Sequence, residues 1–147
     1  LVDNLAASIY KQGEAANLIE DYKLAADHFL RVGVMAPTSE IRPTAEYDAA
    51  TALIMLKVWE QAARILNDFR NNFKGHPLQF EVTKKIAYVY REDGKLSLAA
   101  TEFERIEKES DDIKYISKGF TNFDIYSNEV FPWFLKKIRR NCSSLFK

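Results

Sequence analysis

Two histidines, His28 and His76, a single cysteine, Cys142, and a run of glutamates, Glu102, Glu104, Glu107 and Glu109, carry the groups that hydrolysis, group transfer or metal binding would use. Their spacing assembles none of these chemistries. The histidines stand 48 residues apart, with no further His, Cys or acidic pair at ligand spacing. No Gly-rich phosphate loop and no Ser or Cys elbow is present. Arg139 and Arg140 would favour the thiolate of Cys142, but no base partner accompanies it. One cysteine cannot make an internal disulfide or a zinc site. The glutamates read as a solvated acidic helix surface, His28 as a surface residue, and His76, just before Pro77, as an aid to a helix start. The expectation is a non-enzyme with no catalytic residues, no metal and no cofactor. Its function must then lie in the shape and chemistry of a surface.

The elements that build this surface follow from a repeat. Ala-Ala pairs recur at Ala25-Ala26, Ala62-Ala63 and Ala99-Ala100, a constant step of 37 residues. Three residues before the first alanine of each pair stand Tyr22, Trp59 and Leu96. Four after it come Phe29, Leu66 and Phe103, and seven after it Val32, Phe69 and Ile106. Offsets of −3, +4 and +7 lie on one face of a helix, with the small residue at its centre. A small residue flanked by large ones lets a second helix approach closely while the large side chains interdigitate. Each buried Phe or Leu contributes roughly 1.5–3 kcal/mol, and a bulky side chain at Ala62 would cost about 1–3 kcal/mol through overpacking. Upstream, a first helix repeats at the same step through Ile9, Glu46 and Thr83, then Gly13, Ala50 and Ala87, then Ala16, Leu53 and Tyr90. The unit is therefore a two-helix hairpin, here called helix A and helix B. "MAPTSEIRP" and "FKGHP" separate units, Pro43 and Pro77 suit first turns of helices, and Gly94 suits the turn inside the third unit. No stretch alternates as a strand would.

These residues resemble a tetratricopeptide repeat array. The first unit matches the family pattern at Gly13, Tyr22, Ala25, Phe29 and Pro37, the second at Ala50, Leu53, Trp59 and Ala62, and the third at Ala87, Tyr90, Gly94, Ala99 and Phe103. The resemblance covers about residues 5–110, at a step longer than the family's usual ~34. It implies an all-α, right-handed superhelical solenoid of three hairpins, plus a C-terminal helical segment. The repeat domain would be 1–112, with units of about 5–40, 41–76 and 77–112, and 113–147 would be a capping or docking segment. "YDAATALIMLKVWEQAARILNDFRNNFKGHP" and "IAYVYREDGKLSLAATEFERI" are similar to bacterial cell-envelope members of the family, among them outer-membrane assembly lipoproteins and the periplasmic Tol–Pal-associated coordinator. That likeness implies a periplasmic or cell-envelope location, with the cytoplasm as the alternative.

In such arrays helix A lines the concave side, where a partner protein or peptide would bind. The residues expected there are Tyr10, Glu14, Asn17, Tyr47, Thr51, Ile54, Lys84, Tyr88 and Arg91, with Glu81 beside them. Tyr47 and Tyr88 would offer flat apolar faces with a polar tip, and Arg91 would pair with a peptide carboxylate. The chaperone-binding subset of the family grips a C-terminal carboxylate with Lys, Asn and Arg. The corresponding positions here hold Tyr10, Glu14, Asp48, Glu81 and Lys85. Lys85 is the only cation among them, so no carboxylate clamp is expected.

Beyond Asp112 the register is lost, since the next repeat alanine would fall at Lys136. Residues 113–147 hold seven Lys/Arg against Asp124 and Glu129, and eight aromatics. Three readings of this segment compete: a cap on the last hairpin, which solenoids require; docking onto another copy through Phe131, Trp133, Phe134 and Leu135, giving a homodimer; and, least favoured, a membrane or acidic-partner contact through Lys136, Lys137, Arg139 and Arg140. The alternative function is thus self-assembly through the aromatic, basic C-terminal segment.

The whole chain of 147 residues has zero net charge and 47% hydrophobic residues. That is enough chain for one domain with a real core, and it disfavours nucleic acid as a partner. No apolar run reaches the ~20 residues of a membrane span. The chain begins with Leu, as an excised piece would, so a missing leader carries no weight on location.

Overall fold

The structure is a computed structural model that describes residues 1–109. Six helices and no strands occur among them: α1 (Val2–Leu18), α2 (Tyr22–Met35), α3 (Arg42–Met55), α4 (Trp59–Asn72), α5 (Gln79–Glu92) and α6 (Leu96–Glu109). Helices α2, α4 and α6 begin at Tyr22, Trp59 and Leu96, and α3 and α5 at Arg42 and Gln79. Both sets keep the 37-residue step. Consecutive helices pack on one another from α1 to α5, and α1 also meets α3. The chain divides into two units, Leu1–Phe103 and Glu104–Lys147. Of the second, only the final turns of α6 are described. The expected boundary after Asp112 and the docking residues Phe131, Trp133, Phe134 and Leu135 lie outside the described residues.

The turns recur as faithfully as the helices. Each A helix ends on a residue in the left-handed region: Glu20 at φ 61°, Lys57 at φ 59° and Gly94 at φ 73°. Around each, the next backbone N–H reaches back five residues, from Asp21 to the Ala16 carbonyl (3.0 Å), Val58 to Leu53 (2.9 Å) and Lys95 to Tyr90 (2.8 Å). Shorter bonds from Glu20 to Asn17, Lys57 to Ile54 and Gly94 to Arg91 complete three Schellman motifs. Only the third uses glycine, which avoids the Cβ clash of this conformation.

The turns between hairpins also share a frame. Ser39 and His76 donate their N–H to Ala36 and Phe73, and their carbonyls accept from Arg42 and Gln79. Their side chains then do the same task with different chemistry. Ser39 Oγ accepts from the Ile41 N–H at 3.2 Å, and His76 Nδ1 accepts from the Leu78 N–H at 3.1 Å. His76 thus holds the start of α5, as its place before Pro77 predicts. Pro43 lies in the first turn of α3. Pro77 does not: it stands in the turn two residues before α5. Its fixed φ suits the turn equally well.

The Ala-Ala pairs are all buried, as are Phe29, Val32, Leu66 and Phe69. Gly13 has a specific cause: a Cβ there would sit 2.5 Å from Cε1 of Phe29. The equivalent residues of the second hairpin are Ala50 and the smaller Leu66.

One expectation about charge is overturned. Glu102 is not part of a solvated acidic surface; it is 5% exposed. Its carboxylate accepts from Arg70 Nη1 at 2.5 Å and Nη2 at 3.1 Å. Arg70 Nη2 also donates to Asn67 Oδ1 (2.8 Å), and Asn67 Nδ2 donates to the Tyr90 hydroxyl oxygen (3.0 Å). The lock ties α4, α5 and α6 together. A buried carboxylate persists only with such a partner, because its desolvation is otherwise uncompensated.

Candidate functional site

Tyr10, Glu14 and Asn17 follow one another at helical spacings of four and three, so α1 presents them on one face. Asp48 and Thr51 do the same on α3. Where the two faces meet lies a cavity of about 380 Å³, lined by Tyr10, Glu14, Asn17, Leu18, Phe29, Asp48 and Thr51. Phe29, from α2, is the buried residue among them, and its ring lies 5.2 Å from that of Tyr10 at an angle of 45°. The Tyr10 hydroxyl donates to Asp48 Oδ2 at 2.5 Å. The Thr51 hydroxyl donates to the Tyr47 carbonyl at 3.0 Å.

Burial shapes the titration of this face. It raises the Tyr10 phenol above its ordinary value, and the hydrogen bond to Asp48 and the charges of Asp48 and Glu14 raise it further. Burial also raises the Asp48 carboxyl, against the opposing influence of the Tyr10 hydrogen bond and of Lys85. Lys85 is lowered by burial, opposed by Glu81 and Asp48. Its ammonium sits 4.9 Å from the centre of the Tyr47 ring. Tyr47 is pushed up to about 12 by burial and then by Glu81 and Asp48.

Four of the nine expected partner-binding residues, Tyr10, Glu14, Asn17 and Thr51, come together in this cavity. The others do not line it. Tyr47 is half-buried beneath Lys85. Ile54 packs against the core. Lys84 pairs with Glu81 at 2.5 Å and lies 5.0 Å from the Phe80 ring centre. Tyr88 packs edge-on against Trp59, with ring centroids 6.0 Å apart. Arg91 sits 5.3 Å over Tyr88 and pairs with Glu92 at 2.5 Å.

Sequence reasoning placed Asp48 only among clamp positions and missed Phe29 and Leu18 as lining. A signal for Asp48 exists: it stands one repeat plus one residue beyond Tyr10, the diagonal neighbour on the next A helix. For Phe29 there was none, because a core position looks the same whether or not a cavity opens above it. Among the described residues no three His, Cys, Asp or Glu groups are placed to hold a metal ion, and no helix is long and apolar enough to cross a membrane.

No protein-family model matches the chain, and neither a curated protein nor a solved structure matches it.

Proposed function

We propose that the chain is a tetratricopeptide-like solenoid that works as a protein-interaction scaffold, receiving a partner protein or peptide on the concave face formed by its A helices. The observation that carries this reading is the cavity between α1 and α3, in which four residues expected to bind a partner converge. The recurrence of helix starts and Schellman turns at 37 residues supports the solenoid, since identical bricks stack with a constant offset. Lys85 lies over the Tyr47 ring, and the charges of Glu81 and Asp48 act on it. That engagement argues against a carboxylate clamp.

The test is capture from a bacterial cell-envelope extract, the material the family resemblance points to. Baits are the intact chain and Thr51→Tyr, which fills the cavity with the residue that stands at the equivalent position, Tyr88. Circular dichroism checks that both fold. A protein retained by the first and lost by the second supports the groove. Equal retention places binding on another surface. A dimer by light scattering that becomes monomeric when residues after Asp112 are removed, with no partner retained, favours self-assembly instead.

A further inference from the structure

The polar wall of the α1–α3 cavity has almost no protons to give. Tyr10 spends its hydroxyl proton on Asp48, and Thr51 spends its own on the Tyr47 carbonyl. What these hydroxyls retain is lone pairs. Glu14 and Asp48 add two carboxylates, and no Lys or Arg lines the cavity. Only the Asn17 amide offers donors. Lys85 offsets part of the Asp48 charge from outside the cavity, and no cation of the lining faces Glu14, so an occupant with several N–H groups and positive charge matches this wall. A carboxylate would find like charge and two hydroxyls already committed. The volume, about 380 Å³, is at the lower end of the roughly 300–1,000 Å³ of ligand pockets. It suits one long side chain, not a helix. The Phe29 and Tyr10 rings supply apolar faces, with Leu18 at the exposed rim.

We propose that this cavity is an anchor pocket for an arginine side chain of the partner polypeptide. Its guanidinium would meet the Glu14 and Asp48 carboxylates and the lone pairs of Tyr10 and Thr51, and its stem would lie along Phe29 and Leu18. Arginine is favoured over lysine because its planar fork carries five donors and stacks on aromatic faces. The proposal rests on the scaffold reading and names the chemistry of the partner.

The probes are blocked peptides Ac-Gly-Gly-Xaa-Gly-Gly-amide with Xaa as Arg, Lys, citrulline or Glu. Each is titrated into the ¹⁵N-labelled full chain and followed by amide chemical shifts. The arginine peptide is expected to shift amides of residues 10–18 and 48–51 with a Kd of about 1 mM. Lysine should bind more weakly, citrulline about tenfold more weakly, and the glutamate peptide not at all. The Glu14→Gln/Asp48→Asn variant should lose about tenfold in affinity for the arginine peptide, and Thr51→Tyr should abolish the shifts. Citrulline binding as well as arginine, an arginine response unchanged in the double variant, or no shift at these residues with any peptide would each overturn the proposal. A partner captured from extract by the double variant as well as by the intact chain, but lost with Thr51→Tyr, overturns the arginine anchor and leaves the scaffold standing. Peptide binding as expected, with an extract partner indifferent to Thr51→Tyr, overturns the scaffold groove and leaves the pocket.

Discussion

The contact between the first two A helices and the contact between the second pair are built on the same step and differ in chemistry. Tyr10 and Tyr47 are equivalent, and so are their diagonal neighbours Asp48 and Lys85. At the first contact the tyrosine hydroxyl donates to a carboxylate. At the second the tyrosine ring lies under an ammonium. Beside the first stands Thr51, and a cavity opens. The equivalent residue at the second is Tyr88, whose ring packs on Trp59. The B helices differ in the complementary sense. The buried Arg70–Glu102 pair spans the later hairpins, while the equivalent positions of the earlier ones hold Gly33 and Ile65. A repeat therefore conserves its backbone frame and varies its side chains locally: the later hairpins carry a buried ion pair, and the earlier pair leaves a cavity between its A helices.

The largest effect that would break this contrast is expected at the charge lock. Glu102→Ala leaves Arg70 without its buried carboxylate and should cost about 3 kcal/mol in urea unfolding. A loss below about 1 kcal/mol would mean that the pair behaves as a surface bridge, and the later hairpins would lose their distinction. Next comes Tyr88→Thr, which gives the second A-helix contact the wall residue of the first. Removing this half-buried ring should cost about 2 kcal/mol, and a crystal structure of the variant should display a new cavity beside Trp59.

A smaller effect sharpens the comparison of cores. Gly13→Ala drives a Cβ into Phe29, an overpacking cost of about 1–3 kcal/mol, partly offset by about 1 kcal/mol of helix propensity. The net loss should be about 1 kcal/mol. In a Phe29→Leu background, which copies the Ala50–Leu66 combination, the loss should vanish; a double-mutant cycle measures the coupling. The smallest effect is a gain. Lys57→Gly puts glycine where the third hairpin already has it, and should add about 0.5–1 kcal/mol by relieving the left-handed strain. A loss on thermal unfolding would mean that the lysine side chain supports its turn in a way its backbone does not reveal.

Much of the fold was legible because helix packing leaves a periodic trace. The Ala-Ala pairs, Gly13/Ala50/Ala87 and the flanking Phe29, Val32, Leu66 and Phe69 are buried on the helix faces that the 37-residue step predicts, and Tyr22, Trp59, Phe103 and Ile106 are partly buried there, whereas Leu96, expected on the same face, is 46% exposed. Glu102 was misread because its charge was given more weight than its register: it stands 37 residues after the buried Ile65. Pro77 was misplaced by two residues because proline suits both a turn and a first helical turn. Of the nine residues expected on the helix A face, Tyr10, Glu14, Asn17 and Thr51 come together in one cavity because helix periodicity selects a common face. Tyr47, Tyr88 and Arg91 share that periodicity, yet their surfaces are taken up by neighbours.

Sequence alone determined the two-helix brick, its step and its close-contact alanines. These are local or periodic properties, and each is written within one helix or one turn. Only the tertiary structure decided that Asp48 meets Tyr10, that Lys85 covers Tyr47, that Glu102 lies inside against Arg70, and that a small Thr51 leaves room above Phe29. Those outcomes depend on the lateral and angular offset between successive hairpins. That offset is a sum of many side-chain contacts, and no single spacing in the chain encodes it.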